Sequence, residues 1–455
     1  MEIKSINPAN GETIRSYTLD TPEQAKAKIA ATQEAWLHWK KTSFEDRSRL
    51  LHQMAATLRR RKNELSVLMA NEMGKPVTQG LNEVEKCAFA CEYYGDNAAT
   101  FLKDTLVETD ATKSYYTYNP IGIVLAVMPW NFPLFQVFRF LAPALAAGNA
   151  GVLKHASNVP GCALVIQEIV EESGFPKNIF QTLMLSSKDV EAVIENDFIK
   201  AVTLTGSNAA GSKVAQKAGE LIKKTVLELG GSDAYVVLED ADLDLAARVC
   251  VDSRYINSGQ SCIAAKRFIV VKSVIEEFTK RFVKLAAEKI VGDPLDAKTH
   301  IGPQARVDLR NELHAQVMKS IAGGAILALG GVVPKDNTAF YPATVLTGVK
   351  KGMVAFDEEL FGPVAAIIEA VDEEHAIELA NSSQFGLGSA VFTRDVARGE
   401  NIASKRLEAG MCFVNASVKS DPRIPFGGVK QSGYGRELGV FGIREFLNIK
   451  TVFIG

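Results

Sequence analysis

Ile121-Gly122-Ile123-Val124-Leu125-Ala126-Val127-Met128 is the longest apolar run in the chain, and it ends at Pro129. It is too short to span a bilayer, so it predicts a buried strand. Shorter apolar runs follow, separated by helical patterns such as residues 158–173. They lie at 151–153, 201–204 and 235–238. This alternation is typical of a parallel, doubly wound sheet that binds ligands at the carboxyl ends of its strands.

A second alternating set predicts a second α/β domain, with Gly230-Gly231 as a plausible hinge. Its runs lie at 268–271, 325–329, 364–370, 389–393 and 411–414. Thr21-Pro22-Glu23-Gln24 has the pattern of a capped helix start, and a helical region follows toward Phe101. We therefore expect three parts: a dinucleotide-binding domain (1–105 and 121–229), a catalytic domain (230–428), and strand-like oligomerisation segments (106–120 and 441–455).

Composition excludes several classes of protein. The 455 residues exceed what one core usually supports, and 51 basic residues nearly balance 53 acidic ones. No basic track for nucleic acid, no membrane-spanning segment and no signal peptide is apparent, which favours a cytoplasmic protein. The six cysteines predict no disulfide framework. Cys87 and Cys91 are interpreted as core residues, and we expect no metal site.

Three motifs supply groups for covalent chemistry. Cys262 ends the small-residue run Asn257-Ser258-Gly259-Gln260-Ser261 and offers a thiol nucleophile, which needs a polarised setting because few free thiols are ionised at neutral pH. Glu228 begins the string ELGG, and Asn131 lies in PWNFP. The alternatives are an exposed element end for Glu228 and a turn cap for Asn131.

Six strings in order resemble the aldehyde dehydrogenase superfamily over essentially the whole chain. They are PWNFP at 129–133, LTGS at 204–207, ELGG at 228–231, GQSC at 259–262, EELFGPV at 358–364 and PFGGVKQSG at 425–433. The resemblance implies the aldehyde dehydrogenase fold, with a Rossmann-like cofactor domain, an α/β catalytic domain and a small β-extension for oligomerisation. It also implies a homodimer or homotetramer.

The resemblance implies a role for each reactive group. Cys262 would attack an aldehyde to give a thiohemiacetal, hydride would pass to the nicotinamide, and a thioester would remain. The Asn131 amide and the Cys262 backbone N–H would form an oxyanion hole. Glu228 would activate water for hydrolysis, so the product should be a free carboxylic acid.

The cofactor residues are also carried over from the family, since no GxGxxG follows the early strands. The implied cofactor-binding residues are Trp130, Lys154, Ser157, Gly206, Ser207, Gly211, Leu229, Glu359 and Phe361. Many NAD-dependent members have a glutamate at the position of Ser157, where it repels a 2′-phosphate. The serine therefore predicts that NADP is preferred over NAD, although use of both remains open.

Arg139 suggests recognition of an acidic aldehyde, since succinate-semialdehyde dehydrogenases have an arginine at the same offset from the PWNFP motif. Ser420 resembles their carboxylate-binding serine, and Ser261 is assigned to the same substrate site. An alternative for Arg139 is a salt bridge within an oligomer. Some relatives have a second arginine six residues before the cysteine, where this chain has Ile256. Arg254 is close in sequence, but the sequence does not define the direction of its side chain.

Succinate semialdehyde is thus the expected substrate of the protein, in the manner of the short bacterial enzymes. Glutarate semialdehyde and a broad range of aldehydes remain alternatives. Two different classes are also considered, a cysteine esterase and a non-catalytic structural protein. No Cys-His pair supports the esterase, and the intact Cys262, Glu228 and Asn131 disfavour a structural role.

Overall fold

The computed structural model describes residues 2–455. A two-stranded hairpin and four helices open the chain. These elements are β1 (Glu2–Ile6), β2 (Thr13–Thr18), α1 (Pro22–Trp39), α2 (Phe44–Arg60), α3 (Lys62–Met73) and α4 (Val77–Phe101). The predicted start of α1 is confirmed: Thr21 and Gln24 form a reciprocal capping box that satisfies two otherwise unpaired N–H groups.

The next part of the chain alternates strands and helices. It contains β3 (Thr105–Leu106), β4 (Lys113–Pro120), β5 (Ile123–Met128), α5 (Phe135–Ala146), β6 (Ala150–His155), α6 (Pro160–Glu172), β7 (Phe180–Thr182), α7 (Val190–Glu195), β8 (Ile199–Thr205), α8 (Asn208–Glu220) and β9 (Lys224–Glu228). A 3₁₀ turn, Ser187–Asp189, precedes α7. The apolar runs of this part are strands, as predicted, because their side chains are buried on both faces.

A second alternating part forms the rest of the chain. It contains β10 (Ala234–Val237), α9 (Leu243–Tyr255), β11 (Arg267–Val271), α10 (Ile275–Ala287), α11 (Val307–Ala322), β12 (Ile326–Leu329), β13 (Thr344–Thr347), α12 (Val354–Asp357), β14 (Val364–Ala370), α13 (Glu373–Asn381), β15 (Phe385–Gly386), β16 (Gly388–Phe392), α14 (Val396–Asn401), β17 (Met411–Val414), β18 (Val429–Lys430), β19 (Gly433–Tyr434), α15 (Gly439–Arg444) and β20 (Leu447–Ile454). Short helical turns lie at Ile256–Gly259 and Ile402–Arg406.

Two larger sheets result. The first has the order β19-β9-β8-β5-β6-β7 and is parallel except for β19, and the second has the order β12-β13-β14-β11-β10-β16-β17 and is parallel except for β12. Successive residues of β10 pack into separate apolar clusters, with Tyr235 in one and Val236 in the other. The second sheet is therefore covered on both faces.

A third sheet, in the order β20-β4-β3, joins two segments that are distant in sequence. All eight residues of β20 pair with β4 in the same chain. The loop before β18 returns toward the first sheet, where β19 pairs with the end of β9 at Glu228. Among residues 2–455, no helix has the length and apolar character needed to cross a bilayer.

Candidate active site

The loop that carries Cys262 has an unusual backbone. Asn257, Ser258 and Gly259 have φ angles of 52°, 56° and 75°, which are all in the left-handed region. A Cβ at Gly259 would lie 2.2 Å from the carbonyl oxygen of Gly362, so only glycine fits there. The small residues before Cys262 thus allow a tight turn that a chain of larger residues would not form.

Two buried cations hold this loop through its carbonyl groups. Lys266 Nζ donates hydrogen bonds to the carbonyl oxygens of Ser261 (2.8 Å) and Cys262 (2.7 Å). Arg254 donates to the carbonyl oxygen of Gly259 at 2.6 Å, which shows that its side chain lies behind the loop. Sequence reasoning missed Lys266, because its role depends on a contact and not on a motif.

The Cys262 side chain is half-buried, and its thiol is protonated at neutral pH. Burial raises the pKa of the Cys262 thiol to about 11, although the positive charges of Arg139 and Lys266 act in the opposite direction. Two cavities meet at this residue, one of about 230 Å³ and one of about 270 Å³. The nucleophile therefore lies where two ligands could approach each other.

Asn131 contacts the second of these cavities beside Cys262. Its side-chain amide donates to the carbonyl oxygen of Gln260 at 3.1 Å, while Asn257 donates to the Asn131 carbonyl at 2.6 Å. An amide nitrogen carries two hydrogens, so one donor remains for an oxyanion. Asn131 thus has a donor available beside Cys262, and its part in an oxyanion hole stays a prediction.

Glu228 ends β9 and is 2% exposed, but its side chain lines neither of the two cavities that reach Cys262. A Cβ at Gly427 would lie 2.8 Å from Glu228 Oε1, and neither carboxylate oxygen has a hydrogen-bond partner. Burial, and next the negative charge of Glu437, raise the pKa of Glu228 well above its usual value. In this conformation the predicted base therefore lies outside both cavities that reach Cys262.

The 270 Å³ cavity brings together six of the predicted cofactor residues. They are Trp130, Gly206, Ser207, Leu229, Glu359 and Phe361. Ser207 caps α8, where its hydroxyl accepts from the Ala210 N–H at 3.3 Å. Free N–H groups at this helix start suit a pyrophosphate. We call this space the cofactor cavity.

The other three predicted cofactor residues lie outside this cavity. Gly211 is inside α8, where a Cβ would lie 2.5 Å from a methyl group of Leu229, so its small size serves helix packing. Lys154 is the penultimate residue of β6 and is 8% exposed, and burial lowers its pKa. Ser157 is exposed and lines a separate cavity of about 400 Å³.

The 230 Å³ cavity, called the substrate cavity below, contains all three predicted substrate residues. They are Arg139, Ser261 and Ser420. Ile256 also lines it, whereas Arg254 does not, so no second arginine replaces the one missing from the sequence. The Ser420 hydroxyl is buried and has no hydrogen-bond partner.

The charge of Arg139 is not free, which corrects the interpretation of a lone arginine. Its guanidinium forms an ion pair with buried Glu437 of the same chain and donates to the Thr205 hydroxyl at 3.2 Å. It also lies 4.3 Å from the centre of the Phe426 ring. A buried guanidinium needs such a partner, and a substrate carboxylate at Arg139 would have to share it with Glu437.

The fold and the site define a class of protein. A cysteine nucleophile between a substrate cavity and a dinucleotide-type cavity is the arrangement of a thiol-dependent oxidoreductase. The chain belongs to the aldehyde dehydrogenase family, whose model matches residues 1–452.

Several relatives are similar over their full length. A "Probable succinate-semialdehyde dehydrogenase", NADP(+), of Synechocystis sp. is 48% identical over 454 residues, with both chains fully covered. The succinate-semialdehyde dehydrogenase 1, NADP(+), of Mycobacterium tuberculosis is 46% identical over 457 residues, again with full coverage. The crystal structure of succinic semialdehyde dehydrogenase from Streptococcus pyogenes in complex with NADP+ matches with a TM-score of 0.97, 36% identity and 99% of each chain covered.

Proposed function

We propose that this protein oxidises succinate semialdehyde to succinate and reduces NADP+. The observation that carries the proposal is the substrate cavity, where Cys262 shares a wall with basic side chains and with the unpartnered Ser420 hydroxyl. Such a cavity favours a short aldehyde with a carboxylate at its far end. The full-length likeness to relatives that are named for this substrate supports the same conclusion.

The residues present fit a dinucleotide. The cofactor cavity joins the start of α8 to Cys262, and the Trp130 and Phe361 rings meet edge to face at 5.7 Å on its wall. Glu359 Oε1 accepts from the Gly231 N–H at 3.0 Å, which holds this carboxylate at the same cavity. When bound, the nicotinamide supplies the hydride acceptor. The helix start would hold the pyrophosphate, and Glu359 a ribose hydroxyl.

In the acylation half of the reaction, Cys262 Sγ forms a bond to the aldehyde carbon. The thiol, whose pKa burial raises to about 11, must first pass its proton to solvent. The carbonyl oxygen then becomes an oxyanion, which accepts hydrogen bonds from the free amide hydrogen of Asn131 and the Cys262 backbone N–H. Each such donor is worth about 3 kcal/mol by comparison with other acyl-transfer sites. With a dinucleotide bound, the carbon–hydrogen bond would break with loss of hydride to it, the carbonyl would re-form, and a thioester to Cys262 would remain.

In the deacylation half, Glu228 removes a proton from the water that attacks the thioester carbon. The carbon–sulfur bond breaks, and the acid leaves as a carboxylate. Since Glu228 lies outside both cavities in the present conformation, this step requires its side chain to rotate toward Cys262.

Selection of NADP+ is assigned to Ser157 and Lys154. Ser157 is exposed and brings no negative charge to the adenosine side, and Lys154 has no ion-pair partner among residues 2–455. In the cavity that Ser157 lines, Asp308 is paired with Arg306 at 2.8 Å and Lys4 adds a further cation, so a 2′-phosphate would meet net positive charge. A glutamate at position 157 would reverse that balance.

The test is a set of initial rates with succinate semialdehyde, glutarate semialdehyde and uncharged butanal, each with NADP+ and with NAD+. We expect kcat/KM to favour an acidic aldehyde over butanal by about tenfold or more, as a charged hydrogen bond provides. Ser157→Glu should lose the preference for NADP+, while Ser157→Ala should keep it. Equal rates with butanal would contradict the substrate proposal and leave the family assignment intact.

We also infer that the protein self-associates through the sheet β20-β4-β3, as a homodimer or homotetramer. Strand β20 is an outer strand that pairs on one side only. Exposed apolar side chains occur along it, including Ile449 (59% exposed) and Phe453 (57% exposed). An unprotected apolar edge of this length favours pairing with another chain.

A further inference from the structure

The substrate cavity holds more positive charge than Arg139 accounts for. Its charged lining residues are Lys86, Arg139, Asp252 and Lys419. Arg139 is paired with Glu437, and Asp252 is paired with Lys289 at 2.7 Å. These two pairs are each neutral. Two lysines therefore remain as the uncompensated charges of the cavity.

The two lysines differ in their surroundings. Lys419 is exposed, so water and salt screen its charge. Lys86 lies on α4 and is half-buried, and its ammonium lies 4.1 Å from the centre of the Phe135 ring. It has no hydrogen-bond or ion-pair partner among residues 2–455. A cation in this position retains a strong attraction for an anion that enters the cavity.

A second donor is available in the same cavity. The Ser420 hydroxyl is buried, with 7% of the residue exposed, and it has no partner in the chain. Leaving a buried hydroxyl unpaired is unfavourable, so such a group commonly marks the place of a ligand. Lys86 comes from α4, whereas Ser420 follows β17, so two distant segments present donors to one cavity.

We infer that Lys86 binds the distal carboxylate of the substrate, with the Ser420 hydroxyl as a second donor. Arg139 is paired with Glu437 and then has a structural role in the wall of the cavity. The inference rests on the proposed function, because it requires an acidic aldehyde as the substrate. It adds a substrate-binding residue that the motifs of the sequence do not mark.

Acid–base behaviour gives this inference a separate readout. Burial, together with the positive charge of Arg139, lowers the pKa of Lys86 to about 8. The other groups that face it are Cys87, Glu83 and Asp421, of which Asp421 is paired with Arg423. The ammonium form binds a carboxylate and exists below that pKa, so binding should be present at neutral pH and weaken as the pH rises through 8.

The experiment compares wild type with Lys86→Met and Lys86→Arg in the full-length protein. We expect Lys86→Met to lower kcat/KM for succinate semialdehyde by about tenfold or more, mainly through KM, and to leave butanal oxidation within about twofold. In wild type, KM for succinate semialdehyde should rise across the same pH range, while KM for butanal should not. Lys86→Arg should keep acid recognition and lose this pH dependence, because a guanidinium stays charged.

Lys419→Met is the matched control, because Lys419 is the other unpaired lysine of the substrate cavity and is exposed to solvent. It should lower kcat/KM for succinate semialdehyde much less than Lys86→Met does. If wild type prefers succinate semialdehyde but Lys86→Met keeps that preference, the role of Lys86 is overturned and the proposed function stands. Equal losses for both aldehydes would make Lys86 a structural residue and also overturn the inference. If wild type shows no acid preference at all, the proposed function itself fails.

Discussion

Cys262 is a half-buried cysteine whose surroundings disfavour the thiolate. Burial raises the pKa of its thiol to about 11, and the nearby Arg139 and Lys266 only partly offset that effect. At neutral pH the thiol form therefore predominates over the thiolate. This is a safer resting state than a free thiolate, which oxidises readily.

Glu228 presents the complementary case of a predicted base whose carboxyl group has a raised pKa. Its pKa is raised first by burial and next by Glu437, while Arg139 and Arg436 act in the opposite direction. A general base must be deprotonated, so deacylation should rise with pH as Glu228 loses its proton. We predict that Glu228→Gln forms about one equivalent of NADPH per site in a burst and then turns over about 100-fold more slowly.

Stopped-flow absorbance of NADPH would follow both phases of that reaction. Glu445→Gln is the control, because it makes the same carboxylate-to-amide change near Glu228. Glu445 itself is partly exposed and is paired with Lys224. Its steady-state rate should stay near that of wild type. A Glu228→Gln variant that turns over normally and shows no burst would remove Glu228 from the mechanism.

At the scale of elements, buried strands were the most predictable. The runs 364–370 and 411–414 have the predicted bounds, since all their residues except Glu369 are apolar and are buried or partly buried. The hairpin β1–β2 was missed, because nearly every residue of β2 is exposed and leaves no apolar alternation to detect. Strand β12 is largely exposed and antiparallel at the sheet edge, although the run 325–329 was grouped with the other strands of the second α/β domain.

The site was predictable only where local motifs define it. Cys262 and Asn131 lie in distinctive strings, and the structure places both at the cofactor cavity. The pairing of Arg139 with Glu437 could not be predicted, because it joins α5 to a loop near the end of the chain. The position of Lys86 on α4 was equally hidden, since one lysine on a helix resembles any other until the packing is known.

Helix α8 offers a prediction about how an element shapes the cofactor cavity. Alanine at Gly211 would place a Cβ 2.5 Å from a methyl group of Leu229, which lines that cavity, so Leu229 must shift. Overpacking of this kind costs about 1–3 kcal/mol. We expect Gly211→Ala to raise KM for NADP+ roughly tenfold, measured by initial rates and by titration of cofactor fluorescence.

The same helix contains a matched control. Gly219 also lies in α8, but nothing is within 4 Å of a Cβ built there. Gly219→Ala should therefore leave KM for NADP+ unchanged and stabilise the helix by up to about 1 kcal/mol. If both variants bind NADP+ like wild type, contact between α8 and Leu229 does not shape the cofactor cavity.

At the scale of the whole molecule, the site depends on the way the two larger sheets meet. The chain leaves the second sheet after β17 and returns to the first, where β19 pairs with β9 beside Glu228. The segment that makes this crossing also brings Ser420 to the substrate cavity and Glu437 to Arg139. A single crossing segment thus lines the substrate cavity and places the charge of Glu437 near Glu228.

The third sheet yields the prediction for assembly. Strand β20 pairs with β4 along one edge only, and Ile449 and Phe453 are exposed on it, so a second chain would bury apolar surface and satisfy open backbone groups. We predict that wild type sediments as an oligomer and that the double change Ile449→Lys and Phe453→Lys shifts it toward the 49.3 kDa monomer. Lys450 is adjacent to Ile449 in the strand, so its side chain points to the opposite face. Lys450→Gln should therefore keep the wild-type mass. Sedimentation velocity distinguishes these outcomes, and an unchanged mass in the double variant would place the interface on another surface.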